Sequence, residues 1–530
     1  MSSKEPEPES DDAKPFVLFL YTICRQPSTI GVTFTIVHPT LAVVLLVVIF
    51  VVFIIAMTML HRRTETVVAA DDFPRHIYTK RLIYRCQSVT PSYPSPSLAT
   101  PPPPPPIHSY VSLRTIVLLA LPLLSLLGGY GTWALASSNG TFENIFALIA
   151  SKDPKFPGTD DPLVDTYTTI PWLDRQLTIL VTFFAPVVYR ETGALTLLSR
   201  YGIGQFGGAW TLIVMEGMRA GNRWRAVSFV ATMGLIFQNI SYTVTVPIWL
   251  FLHLLTSPVA RPFPSNSIHA NSGLLIDPWD LVILPYSVAI SFLLPSILMA
   301  LHHPSVVSTR THQQLIAFWQ PFPLWTVIAH FFLRGTARWL SGIFHSTRTK
   351  QDTSRPTEAP GASYLSNAKH VYRFVLFLCI STHVPTFVLA LLPAGAVPAS
   401  MPSLAALASH SFASVYVPYF PVPSYRVSSL AEGVHTFLAW DLHIGSTALL
   451  CWAILLHRNA TTERANEDPN VSLPIYRDLL LGERIEDGLA WRKLIGKVTV
   501  WTLLGGPIAA VAVLLWERDA IVRRKIKQGV

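Results

Sequence analysis

Apolar residues in this chain gather in long runs separated by short polar segments. A bilayer core about 30 Å thick needs roughly 20 apolar helical residues to cross it. The clearest run is 41–60 (LAVVLLVVIFVVFIIAMTML), apolar on every face and stopped by His61, Arg62 and Arg63. It is too long, starts too late and lacks the small-residue cleavage site of a signal peptide, so it reads as an anchor. Further runs lie at 115–136, 174–188, 203–219, 226–256, 281–301, 314–334, 371–393, 435–457 and 498–516. The pattern predicts an all-α fold, a polytopic integral membrane helical bundle of about nine to ten transmembrane helices. Two runs, 174–188 and 203–219, are short and polar, and 226–256 is over-long with Pro247 late in it.

Between the anchor and the second run stand Arg75, Lys80, Arg81, Arg85 and the proline run 101–106, which reads as a stiff, solvated linker. The expected organisation is an appendage over 1–105, with its anchor and Pro-rich linker, and a polytopic domain over 106–530. Basic residues mark cytosolic segments, which places 62–114 and 336–370 in the cytosol and 137–170 and 394–434 in the lumen. Strict alternation of the runs then puts the basic tail Arg523, Arg524, Lys525 and Lys527 in the lumen, against the same charge rule.

Composition narrows the class. Of the 530 residues half are hydrophobic and only 13% are charged, against about 25% in soluble proteins. The net charge of +9 comes from short basic clusters between apolar runs, so no nucleic-acid partner is expected. Cys24, Cys86, Cys379 and Cys451 show no CxxC spacing, and neither a disulfide framework nor a thiolate metal site is supported.

Ionisable groups kept inside apolar runs are costly and become the first functional candidates. Asp441 shares a helical face with Phe437, Gly445 and Trp452. A carboxyl desolvated among rings is disfavoured as an anion and could serve as a proton donor; a helix–helix hydrogen bond or ion pair is the alternative. Glu216 stands three residues before Arg219, which suits either an acid or a neutralised pair. Asp174 follows Pro171 and Trp172, where an acid either opens a helix or acts on a substrate.

Gln238, Tyr242, Thr245 and Trp249 recur at helical spacing with Asn239 beside them, a polar and aromatic stripe that must face protein or a cavity. The histidines, His443 among them, show no HExxH arrangement, and no metal is expected. Asp160, Asp161 and Asp165 look like half of a magnesium–diphosphate motif with no second half. Asn139-Gly140-Thr141 is a candidate glycosylation site in the proposed lumenal loop.

The segments WLDRQL (172–177), EGMRAGNR (216–223), Gln238 to Pro247, Leu294 to Ser305, WQPFP (319–323), WDLHIG (440–445) and LWERD (515–519) together resemble a family of fungal membrane-bound terpene cyclases of terpenoid, meroterpenoid and indole-diterpene pathways, across about 110–520. The resemblance implies cyclisation of a prenyl chain, often after a separate monooxygenase has made a terminal epoxide. It implies no residue roles. From the residues themselves, Asp441, Glu216 and Asp174 are the candidate acids, with Asp174 or His443 as final proton acceptor. Gln238, Asn239, Tyr242, Trp249, Trp440, His443 and Trp452 are the candidate substrate contacts. The expected surroundings are the endoplasmic reticulum membrane, its lipid and a hydrophobic prenylated substrate, with no cofactor. A small-molecule transporter or a pathway scaffold is the competing class.

Overall fold

The computed structural model describes residues 113–188, 193–261, 273–346, 360–393, 395–398, 400–422, 424–461 and 488–528. The anchor 41–60 and the proline run lie outside them. The described residues are helical, with one isolated bridge between Lys155 and Pro162 and no other strand.

Helix α1 (Leu113–Ser138) contains a π turn at Tyr130–Ala134. The short α2 (Thr141–Ile149) and a loop lead to α3 (Pro171–Val188) and α4 (Ala194–Gly217). Then come α5 (Val230–Ile240), α6 (Tyr242–Thr256), α7 (Pro278–Met299), α8 (Thr309–Trp319) and α9 (Phe322–Ser346). The rest are α10 (Pro360–Leu391), α11 (Pro402–Ala408), α12 (Phe412–Tyr416), α13 (Leu430–Thr461), α14 (Gly488–Gly505) and α15 (Pro507–Gln528). Starts follow local chemistry: Asp277 accepts from the Trp279 N–H ahead of Pro278, and Ser308 accepts from the Thr311 N–H, each satisfying an orphan donor of a first turn.

Among the described residues four helices are long and apolar enough to cross a membrane: α1, α7, α10 over Tyr364–Leu391, and α13. A fifth span arises if α8 and α9, bent by 73°, count as one. This does not confirm the expected nine to ten: the run 41–60 lies outside the described residues, and two of the other expected crossings take another form.

The run 226–256 is two helices broken at Ser241, whose φ of 151° and ψ of 155° interrupt the helical ladder. Both arms end at the same side of the bundle, because Arg225 Nη1 donates to the Thr256 carbonyl (2.8 Å). The segment enters, turns at Ser241 and returns. With 1.5 Å per residue the 11 residues of α5 reach about 17 Å deep, roughly half of a hydrocarbon core.

The run 498–516 behaves likewise. It breaks at Gly506 (φ 79°), and Lys497 pairs with Glu517 (Nζ–Oε1 2.7 Å) across the two arms. A Cβ on Gly506 would meet Gln205 Oε1 at 2.5 Å, so this turn needs glycine for both its dihedral and its approach. Gln205 on α4 ties the turn by donating to the Gly505 carbonyl (2.8 Å) and accepting from the Ile508 N–H (3.1 Å). Its neighbour Phe206 packs on Tyr242 and Phe237 beside the other turn. The tips of both hairpins therefore meet α4 at adjacent residues. Arg523 and Arg524, just beyond the second hairpin, lie at the side where it began, because Lys497 at its entry pairs with Glu517 near its exit.

Candidate functional site

Breaking a helix inside an apolar bundle frees backbone donors and acceptors that must find partners. At Ser241 the partners come from two other helices. Trp133 Nε1 of α1 donates to the Ile240 carbonyl at the end of α5, and Ser125 Oγ donates to the Val244 carbonyl (2.8 Å). On the other side Asp441 Oδ1 of α13 accepts from the Thr243 N–H (2.8 Å). The Tyr242 N–H and the Ser241 hydroxyl also approach that carboxyl.

Asp441 is 9% exposed and has no salt bridge among the described residues. One turn on, Gly445 lets the Tyr242 ring lie against α13: a Cβ there would stand 2.1 Å from Tyr242 Cε1. Tyr242 begins a web of rings with Phe206, Phe237, Trp210, Phe292 and Phe322, at centroid separations between 5.0 and 6.4 Å. The expected continuous stripe is interrupted, since Ser241 separates Gln238 from Tyr242. Gln238 instead donates to Gln320 Oε1 (2.8 Å), tying α5 to the end of α8. Asn239 is exposed, accepts from Gln176 Nε2 (3.1 Å) and donates to the Leu235 carbonyl.

The two other acids stand elsewhere. Glu216, 1% exposed, belongs to a buried cluster with Arg219, Arg518 and Asp519. Its Oε1 receives Arg219 Nε (2.8 Å) and Arg518 Nη2 (2.7 Å). Arg219 also reaches Asp519 (3.0 Å), the Tyr364 hydroxyl (2.6 Å) and the Leu274 carbonyl (2.8 Å). Burial works against ionisation of Asp519, but the two guanidiniums outweigh it and hold its carboxyl below the usual range. Two cations against two carboxylates neutralise one another, so Glu216 is an ion-paired acceptor in a lock at the Arg219 side. The LWERD segment carries half of this lock, and the signal was its Arg-Asp pair ending an apolar run.

Asp174, 7% exposed, accepts from the Thr168 N–H (2.6 Å), the Thr168 hydroxyl (2.8 Å) and the Tyr167 N–H (3.0 Å). Burial opposes its charge, but these donors prevail and its carboxyl lies below the usual range. It fastens a loop to the start of α3, outside the four long spans. Asp441, Glu216 and Asp174 thus share no common hollow.

Three rings of α13 hold the end of α12 and the loop after it: His435 Nε2 contacts the Val415 carbonyl (3.0 Å), His443 Nε2 the Tyr416 carbonyl (2.6 Å), and Trp440 Nε1 donates to the Tyr419 carbonyl (2.9 Å). Trp249 stacks on His253 (5.6 Å), whose Nδ1 accepts from Trp452 Nε1 (3.1 Å). That trio lies toward the Arg219 lock, since Asn222 links His253 to the Glu216 carbonyl. Trp452 is eleven residues beyond Asp441 on one helix, about 17 Å away.

Asn139 is 1% exposed, and its Oδ1 accepts from the Thr141 N–H (3.0 Å) and hydroxyl (2.7 Å). The triplet therefore forms a buried Asx turn. Residues 161–166, with Asp161 and Asp165 among them, line an open groove of about 680 Å³ together with Pro304 and residues 306–310. Asp161 is tied to Thr309 there. No group of three or more His, Cys, Asp or Glu suited to a metal occurs among the described residues.

Known proteins bear on this arrangement. Residues 116–523 match the CtvD domain. The terpene cyclase ascI of Acremonium egyptiacum is 28% identical, over 74% of this chain and 89% of its own length. The terpene cyclase sdgD of Emericella nidulans is 23% identical over 79% and 98%, and ctvD of Aspergillus terreus, also named a terpene cyclase, 25% over 75% and 97%. No solved structure matches. Since the matched region spans both hairpins, the Arg219 lock and Asp441, the chain belongs to the CtvD domain family.

Proposed function

We propose that this protein is a multi-pass terpene cyclase of the endoplasmic reticulum membrane, and that Asp441 protonates a prenyl chain to start ring closure. The observation that carries the reading is a carboxyl without a salt-bridge partner, held at the turn of a re-entrant hairpin among aromatic rings. Without a counter-charge in hydrocarbon a carboxyl is held as the neutral acid, the form able to donate. With Oδ1 bonded to the Thr243 N–H, the proton resides on Oδ2 and passes to an epoxide oxygen or terminal alkene of the substrate. The carboxylate left behind is stabilised by that N–H and by the positive end of α6. The Tyr242, Phe206 and Phe237 faces then offer the migrating cation about 0.5–2 kcal/mol each without a competing nucleophile.

The names of the relatives support the activity, and the four apolar spans support the membrane setting. Acid initiation without a metal agrees with the lack of a paired diphosphate motif in the sequence. With basic segments cytosolic, both hairpins enter from the cytosolic face. An upstream monooxygenase would supply an epoxidised substrate.

Membranes containing the protein, incubated with an epoxidised farnesyl phenol, are expected to give an isobaric cyclised product. Asp441→Asn should accumulate normally and give none; turnover at the wild-type rate by that variant removes Asp441 from the chemistry. A transporter is the second reading, because broken helices also mark solute sites. Both hairpins enter from one side, whereas inverted repeats place them on opposite sides. Flux without conversion in the same membranes would establish the transporter.

A further inference from the structure

Gln176, half-buried, and Asn239, exposed, form a carboxamide pair at the depth of the hairpin turn. Asn239 stands nine residues into α5 from Val230, about 14 Å from the side where the hairpin enters. Polar side chains facing acyl chains at that depth are costly, so a carboxamide pair with an exposed member there points to an opening that receives something polar.

The pair is oriented for that purpose. Asn239 Nδ2 is anchored on the Leu235 carbonyl (2.8 Å), and its Oδ1 holds Gln176 Nε2 (3.1 Å). This fixes the Gln176 amide while leaving its Oε1 and its second N–H without a partner among the described residues. An acceptor and a donor side by side match a hydroxyl group, which donates to one and accepts from the other. Trp133 of α1 holds the next residue's carbonyl at Ile240. From Asn239 to Thr243, whose N–H holds Asp441, is four residues, at most about 14 Å of chain.

We propose that Gln176, oriented by Asn239, anchors a hydroxyl group on the head of the prenylated substrate, so that the chain extends from there toward Asp441. This rests on the cyclase reading for the identity of the substrate, while the binding geometry stands apart from it. The anchor selects substrates bearing a free hydroxyl over those in which it is blocked.

The test uses tritiated farnesyl phenol and its O-methyl ether as probes, with saturable binding and conversion both measured in membranes holding the full chain. Wild type is expected to bind the phenol about five- to tenfold more tightly than the ether, the value of one buried hydrogen bond. Gln176→Leu and Asn239→Leu should each remove that preference, and the double variant should lose no more than either alone. Equal affinity of wild type for both probes, or a preference that survives Gln176→Leu, overturns the anchor. A phenol preference with no conversion of an epoxidised probe leaves the anchor supported and overturns the cyclase reading instead.

Discussion

Gly445→Ala tests the contact on which the proposed acid depends. The added methyl would stand 2.1 Å from Tyr242 Cε1, 2.3 Å from Cδ1 and 3.0 Å from Cζ. Ordinary contact begins near 3.4 Å, so the ring must retreat by about 1.3 Å. Tyr242 is the first residue of α6, and its neighbour Thr243 holds Asp441 at 2.8 Å; a backbone that follows the ring stretches that bond beyond hydrogen-bond range. Overpacking of this kind costs about 1–3 kcal/mol, and the lost bond adds about 1 kcal/mol. Gly496→Ala is the control, because nothing lies within 4 Å of the Cβ it would add. Thermal unfolding followed by size exclusion of fluorescently tagged protein reads stability, and product formation in membranes reads the chemistry. Gly445→Ala is expected to lower the midpoint and reduce turnover at least tenfold, with Gly496→Ala unchanged in both. If Gly445→Ala matches the control in midpoint and turnover, the packing of Tyr242 on α13 is not what seats the acid.

Two further outcomes follow from the bundle. Arg219→Met strands Glu216 and Asp519 with one cation between them, and breaking a buried pair in this way costs about 3–5 kcal/mol; the same thermal assay should show a large loss, and a change within measurement error would mean that the cluster does not lock the helices. The second concerns sidedness: a tag after Val530 and a tag inserted at residues 347–359 should be cleaved by protease from the same face of sealed microsomes, while cleavage from opposite faces would show that 498–516 crosses after all.

Much of the architecture is legible in the chain itself. The apolar runs near 115–136, 281–301, 371–393 and 435–457 reappear as the four long spans, because an unbroken run of that length has no other way to bury its backbone polar groups. Asp441 is conspicuous as a carboxyl in such a run, and Gly505-Gly506-Pro507 already carries the residues of a sharp turn. Ser241 gives no such sign. Its break depends on Trp133, Ser125 and Asp441, drawn from helices more than one hundred positions away on either side. Glu216 and Arg219 show local pairing, but their closure with Arg518 and Asp519 spans about three hundred residues.

Hydrophobic runs report what surrounds a segment, and that much the chain declares: helices, a lipid setting and the few polar groups that must find partners there. Whether a segment crosses or turns back, and which acid is paired and which is left unpaired, is decided by hydrogen bonds between distant helices. Only the tertiary structure contains those bonds, because the partner that satisfies a broken helix need not be near it in sequence.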